Sequence, residues 1–224
     1  MAALDERIQR RRVRRDTLQC MDSVVYHGSA IRGLTRIDPQ LSTHGTGYVY
    51  AMRVPGHCIA FLGGLDDLHI AKEIVDGRLA VVERHPEALD RYGGVTGSVY
   101  DLPGDTFLAG QTAWEGEVVS PVPVMVLRER KIEDALQELR SVETSGDLVL
   151  YRYPERPAQI PGDDGDLVEK AVIFAHWEGN ESSIRQRMHA LHPKLADRFE
   201  RLLGCGDVES LCAKHGIPIL RRSQ

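Results

Sequence analysis

The sequence predicts an α+β fold in which a β-rich body precedes a helical C-terminal extension. Three observations carry that reading. Short apolar runs bounded by glycine recur between Val24 and Arg128, the pattern of strands and turns. Beyond Ile184 the apolar residues recur at three- and four-residue spacing, the period of a helix. Between these parts, residues 154–166 are rich in Pro, Gly and Asp and read as an exposed loop or linker.

Each element follows from its own residues. Ser23 to His27 is an apolar run closed by Gly28, a strand and a turn. Further strands are expected at Gly47–Ala51, Arg78–Glu83, Gly97–Asp101, Glu117–Ser120 and Val122–Leu127, with Pro121 and Pro123 marking an edge or a break. Gly56 to Leu62 reads as a short helix packed beneath the second strand. From Lys131 to Ser141, Ile132, Ala135, Leu136 and Leu139 share one helical face, and Gly146 ends that stretch. Leu148–Tyr153 is one more strand. In the extension, Ile184, Met188 and Leu191 share a face, as do Leu195, Phe199 and Leu202, and Pro193 divides the two helices. A last short helix holds Leu211 and stops near Gly216. The resulting units are a basic N-terminal helix over residues 1–21, a β-rich domain over 22–153, the loop 154–166 and a helical extension over 167–224.

Composition narrows the function classes. A formal net charge of -5 argues against a chain-wide nucleic-acid or membrane-surface binder. Arginines at 7, 10, 11, 12, 14 and 15 make a basic surface helix, diluted by Asp5, Glu6 and Asp16 and lacking interleaved aromatics. Cys20, Cys58, Cys205 and Cys212 form no CxxC pair and no disulfide framework, which suits a reducing cytoplasm. No signal peptide and no run of roughly 18 apolar residues is present, so a cytoplasmic location without membrane contact is expected, unless a specialised system exports the chain.

Three local patterns carry candidate chemistry, and each alone has a plainer structural explanation. Tyr26, His27, Gly28 and Ser29 put a histidine at a strand end beside permissive backbone, where a ligand can approach the main chain; taken alone, a capping histidine is the better reading. Residues 42–51 run Ser42, Thr43, His44, Gly45, Thr46, Gly47, Tyr48, Val49, Tyr50, Ala51. Tyr48 and Tyr50 share one face of that strand and suit stacking on a planar ring, worth about 0.5–1.5 kcal/mol beyond burial; taken alone, a core aromatic strand is the better reading. Trp114, Glu115, Gly116 and Glu117 head an apolar strand with two carboxylates on one side, an arrangement that raises one pKa; solvated glutamates fit equally.

In combination and order, the strand–His–Gly, the Gly–Tyr strand and the Glu-headed strand resemble the ADP-ribosyltransferase superfamily. The resemblance is closest to the His-Tyr-Glu group, which includes diphtheria-type toxins and poly(ADP-ribose) polymerases, and covers roughly residues 22–130. It implies an ADP-ribosyltransferase-like split β-sandwich and a mono-ADP-ribosyltransferase using NAD as substrate. By the resemblance, His27 hydrogen-bonds the ribose, Gly28 with Ser29 holds the nicotinamide end, Tyr48 or Tyr50 stacks on nicotinamide, Phe61 supplies a second aromatic, and Glu117 is catalytic. Glu115 orients the acceptor, because Glu115-Gly116-Glu117 also mimics the Glu-x-Glu loop of arginine-specific members, whose strand Ser42 and Thr43 loosely match. Those members start with arginine where this chain has His27. The resemblance implies a protein or nucleic-acid acceptor, a toxin or effector role as in small bacterial members, and room for an inhibitory partner protein.

Other readings compete. An RNA 2′-phosphotransferase-like enzyme shares that fold and would use arginine and histidine to grip a phosphate, for which Arg32, Arg36 and His44 are candidates. A non-catalytic NAD- or ligand-binding module would keep the pocket without turnover. A hydrolase built on Cys58 and His57 is disfavoured, since adjacent residues rarely face each other and no third group is evident. His176, His189 and His192 lack a carboxylate or cysteine at metal-ligand spacing and read as surface histidines; no metal is expected.

Overall fold

The computed structural model describes residues 24–41, 47–64, 67–112, 114, 116–178, 181–205 and 207–217. The basic segment 1–21, Ser42, Thr43, His44 and Glu115 lie outside the described residues. Twelve strands are described: β1 (Val24–Ser29), β2 (Arg36–Ile37), β3 (Gln40–Leu41), β4 (Gly47–Met52), β5 (Ile70–Val75), β6 (Arg78–Glu83), β7 (Gly97–Pro103), β8 (Leu108–Ala109), β9 (Glu117–Ser120), β10 (Val124–Met125), β11 (Arg128–Ile132) and β12 (Leu148–Tyr151). The helices are α1 (Ala135–Ser145), α2 (Gly165–Glu178), α3 (Glu181–Leu191), α4 (Ala196–Cys205) and α5 (Val208–Lys214), with a 3-10 helix at Pro55–Phe61. The α+β class expected from the sequence is what the structure has.

A seven-stranded sheet runs β11-β7-β1-β4-β9-β8, with β3 added beside β4. Its central strands are antiparallel, and register puts Tyr26 opposite Met52 and Met52 opposite Glu117. These three residues therefore form one row across β1, β4 and β9, with side chains on one face. On that face Met52 and Val99 pack against Ile70, Leu79, Val81 and Leu148 of a three-stranded sheet, β12-β6-β5, with Ile59 and Leu139 between them. The opposite face buries Val25, Ala51, Tyr100 and Val118 beneath the β2–β10 ribbon. The helices form a third layer whose core includes Leu167, Val172, Met188 and Phe199 and takes in Leu68. No helix among the described residues is long and apolar enough to cross a membrane.

Several boundaries move for identifiable reasons. The helix expected from Lys131 starts at Ala135, because the Asp134 side chain caps it by accepting the Gln137 N–H at 2.9 Å. Lys131 and Ile132 instead close β11 against β7. Gly146 ends α1 at φ 89, as expected of a left-handed C-terminal cap. The run Val122–Leu127 narrows to β10, since Pro121 and Pro123 remove ladder donors. β5 was not foreseen: Lys72 and Glu73 interrupt its apolar pattern, yet Lys72 is buried with its ammonium 5.6 Å from the centre of the Phe61 ring.

Residues 154–164 hold no helix or strand and are mostly exposed, as expected of a loop, and a few of them tie the loop to the body. Ile160 is buried beside Ala71, Ala80 and Val82 on the outer face of the three-stranded sheet. Asp164 accepts from the buried Arg84 guanidinium at 2.8 Å and from Arg156 at 2.6 Å. Asp166, in the first turn of α2, pairs with the same guanidinium. Burial alone disfavours the Arg84 charge, and the two carboxylates more than restore it, so its pKa is raised. A second tie joins the layers: His192 Nε2 meets the Leu68 carbonyl at 2.6 Å, and the His85 ring lies against both His69 and His192. His192 is thus a buried junction residue and not the surface histidine expected, whereas His189 pairs at the surface with Glu200 and His176 is exposed. Among the described residues no group of three or more His, Cys, Asp or Glu could hold a metal ion.

Candidate active site

The row Tyr26, Met52 and Glu117 forms part of a cavity of about 140 Å3. His27, Gly28, Tyr50, Ala51, Cys58 and Phe61 complete its described lining. Four chain segments meet there: β1, the β4 strand, the 3-10 helix and the start of β9.

The opening arises from how β1 is paired. Against β7 it runs in register for six residues, Val24 to Ser29. Against β4 it pairs at Tyr26–Met52 alone. The strands part beyond that point, and His27 bridges them with its side chain: Nδ1 lies 2.7 Å from the Tyr50 carbonyl oxygen. A carbonyl oxygen only accepts, so Nδ1 carries the proton. Burial lowers the His27 pKa, and the bond to Tyr50 opposes this without reversing it. The ring is therefore neutral near pH 7, and Nε2 is left as an acceptor for a ligand hydroxyl.

Gly28 faces the 3-10 helix at the closest range in the site. A Cβ on Gly28 would lie 2.4 Å from the Cys58 carbonyl oxygen. The sequence suggested a ligand approaching this glycine; the group that comes close is the protein's own backbone. Gly47 differs, since a Cβ there would have its nearest contact at 3.7 Å, on Pro39. The 3-10 helix starts at Pro55, with Val54 extended before it, and carries Phe61 into the cavity wall. Phe61 is braced edge-on by Trp114, with ring centres 5.4 Å apart.

Of the two strand tyrosines, Tyr50 lines the cavity and Tyr48 does not. Tyr48 packs edge-on against Tyr50 at 6.1 Å between ring centres. Ser29 also stays outside the described lining, where its hydroxyl accepts the Ile31 N–H at 3.1 Å and shapes the turn after β1. Tyr26 and Met52 line the cavity although their types gave no signal. The register of β1 and β4 with the Glu-headed strand would have identified them, because residues in one row share a face.

Glu117 is the cavity's one carboxylate among the described residues. Burial pushes its pKa above the ordinary carboxylate range, and the nearby Thr112 hydroxyl pulls the other way. Mostly apolar walls, a neutral imidazole acceptor and a half-buried carboxylate make a pocket suited to a flat ring joined to a hydroxyl-bearing group.

The competing constellations do not assemble. The Cys58 thiol donates to the Tyr26 carbonyl at 3.0 Å, while His57 Nε2 turns to the Asp147 carbonyl at 3.0 Å. Burial pushes the Cys58 pKa up to about 12, far from a thiolate nucleophile. Iodoacetamide at pH 8 is expected to leave Cys58 unmodified in the folded protein and to alkylate it fully in denaturant. Peptide mass spectrometry checks this, and rapid labelling of folded Cys58 would restore the thiol reading. The arginines proposed to grip a phosphate are engaged elsewhere. Arg32 donates to the carbonyls of Gly97 and Ile132 and pairs with Glu133, and Arg36 pairs with Asp38. The described lining contains no arginine.

No family model, curated protein or solved structure matches the chain.

Proposed function

We propose that this protein is an NAD-dependent mono-ADP-ribosyltransferase acting on a macromolecular acceptor, with the β-rich part as an ADP-ribosyltransferase-like split β-sandwich. One observation carries the reading: His27, Gly28, Tyr50, Phe61 and Glu117, picked from the sequence across ninety positions, line one cavity. Its volume of about 140 Å3 suits one end of a dinucleotide, since sites enclosing a whole drug-sized ligand span about 300–1,000 Å3. The nicotinamide ring goes between Tyr50 and Phe61, and the remainder of NAD lies across the surface.

The chemistry then follows from the groups present. Loss of nicotinamide builds positive charge on the ribose as the C–N bond breaks. Glu117, ionised, accepts from the ribose 2′-hydroxyl and stabilises that charge, an effect amplified by the water-poor cavity. His27 Nε2 accepts from a ribose hydroxyl and fixes the sugar, while the aromatic walls hold the ring for departure. The acceptor then attacks the exposed anomeric carbon; Glu115, by the resemblance, orients it.

The test is nicotinamide release from NAD by the purified chain, with and without cell lysate as a source of acceptors, followed by chromatography. Release, with label from the adenine end retained on a lysate component, supports transfer. Absence of release in both mixtures sinks the reading. Consumption of NAD only with 2′-phosphorylated RNA would favour the phosphotransferase alternative, and calorimetric NAD binding without turnover the binding module.

A further inference from the structure

Three histidine rings stand in a row where the three-stranded sheet meets the helical layer. His69 lies just before β5, His85 shortly after β6 and His192 just after α3. The His85 ring centre is 5.0 Å from that of His69 and 5.7 Å from that of His192. Hydrogen bonds set the protons. His85 Nδ1 meets the Pro86 carbonyl at 3.0 Å and His192 Nε2 the Leu68 carbonyl at 2.6 Å; a carbonyl only accepts, so both nitrogens carry hydrogen. His69 Nδ1 and His85 Nε2 face each other at 2.9 Å, which requires one proton between them and excludes two. The pair can hold one extra proton, at His69 Nε2, with that bond intact. A second puts two N–H groups head to head. A proton on His192 sets a like charge against the neighbouring ring, and burial lowers the His192 pKa.

The charged groups around the stack are largely paired with one another. Arg84 opposes a charge on His192 and Asp164 favours it, and the two are joined at 2.8 Å, with Arg156 and Asp166 in the same network. Lys170 of α2 meets Asp67 at 3.8 Å, and both act on Glu73 of β5. Glu83 turns to Leu89, Arg152 and Tyr153. Arg185 and His189 of α3 pair with Glu200 of α4, and Glu87 and Lys194 are exposed.

We propose that His69, His85 and His192 form an acid-released latch, which holds the helical layer to the three-stranded sheet while the stack carries at most one proton and lets go as it takes three. Once parted, the rings are solvated and titrate near the ordinary histidine value of about 6.5. The open state then binds two more protons than the closed one, so opening grows as pH falls below that value and the latch is closed above it. Loss of the bond from His192 frees Leu68, which packs in the core of the helical layer with Leu167, Met188 and Phe199. The described lining of the cavity includes none of these residues, so the latch is independent of the transferase reading.

The experiment follows amide hydrogen exchange in the full chain from pH 7 to pH 5, by mass spectrometry of peptides from α2 to α4 and from β7, with rates corrected for the intrinsic effect of pH. Opening of the helical layer is expected to approach a hundredfold increase per pH unit below about pH 6, as two protons require. The β7 peptides are expected to stay protected, which separates release of the latch from unfolding of the whole chain, where the buried His27 and His57 also take up protons. His192→Gln keeps a donor for Leu68, and His85→Gln keeps an acceptor for His69. Each removes one of the two protons, so the increase is expected to fall to about tenfold per pH unit. A variant that is looser at pH 7 still decides the question, because the slope counts protons and not starting stability. No acid-driven opening, a slope unchanged in either variant, or equal release of β7 overturns the proposal. Nitrogen-15 spectra of the histidine rings at pH 7 check it without substitution: hydrogen at His85 Nδ1 and His192 Nε2 is expected, and hydrogen at His192 Nδ1 alone overturns the latch.

Discussion

Glu117→Gln is expected to lower nicotinamide release by about a hundredfold to a thousandfold, the usual cost of removing a preorganised group that faces developing charge. The amide keeps the volume of the side chain and the packing of the cavity wall. It loses the negative charge and can accept only a neutral hydrogen bond from the ribose. The same change is expected to leave the melting temperature at pH 7 unchanged or raised. The sign follows from burial, which raises the Glu117 pKa in the folded state. A carboxyl so raised favours folding below its unfolded pKa, and that contribution is lost as pH rises through the folded value. At neutral pH the ionised group is therefore a cost to stability, and a neutral substitute relieves it. Loss of rate with retained or greater stability is the signature of a group kept for chemistry.

The pH profile follows from the same site. The proposed mechanism requires ionised Glu117, so the rate is expected to fall as pH falls through its raised pKa, with the acid limb above the ordinary carboxylate range. His27 adds nothing near neutrality, because its lowered pKa keeps the ring uncharged there. Rates at saturating NAD across the acid range check the profile. Equal rates for Glu117→Gln and wild type would remove Glu117 from the mechanism, whatever the fold.

The residues that line the cavity were more legible than the frame that holds them. His27 and Glu117 were legible only through the order and combination of three patterns, since each pattern alone has a plainer structural explanation. Phe61 was placed on a short helix, and the 3-10 helix Pro55–Phe61 carries it. The pair Tyr48 and Tyr50 could not be separated by alternation, which puts both on one face; the cavity includes Tyr50 alone, with Tyr48 behind it. Pairing was not readable at all. The parting of β1 from β4 after Tyr26–Met52 depends on partners far apart in the chain. β5 was hidden because a buried lysine over an aromatic ring reads as a polar interruption. Composition reads residues 154–166 as an exposed loop, and most of it is exposed, but composition does not show that Asp164 and Asp166 answer Arg84, a partner some eighty positions away.

Gly28→Ala is expected to damage both the fold and the site, and Gly47→Ala neither. The methyl on Gly28 would sit 2.4 Å from the Cys58 carbonyl oxygen and 3.1 Å from its carbonyl carbon. Those atoms are backbone and cannot rotate away. Cys58, Ile59 and Ala60 are almost wholly buried, so the 3-10 helix moves only by displacing its packed neighbours. Either β1 or the helix must shift, and Phe61 moves with the helix. Overpacking of this kind costs about 1–3 kcal/mol, or roughly 2–12 °C in melting temperature for a chain of this size. A displacement near 1 Å at a positioning group can cost about a hundredfold in rate. Among the described residues the methyl on Gly47 meets nothing closer than 3.7 Å, and alanine is favoured over glycine within a strand by roughly 0.5–1 kcal/mol. Thermal melts of the two variants check the contact without reference to activity. If Gly28→Ala melts with the wild type, the close approach of β1 to the 3-10 helix is not tight, and glycine at that position must then be explained by a ligand against its backbone. If it melts lower and nicotinamide release falls further than stability alone accounts for, the Cys58 carbonyl sets both the width of the cavity and the position of Phe61.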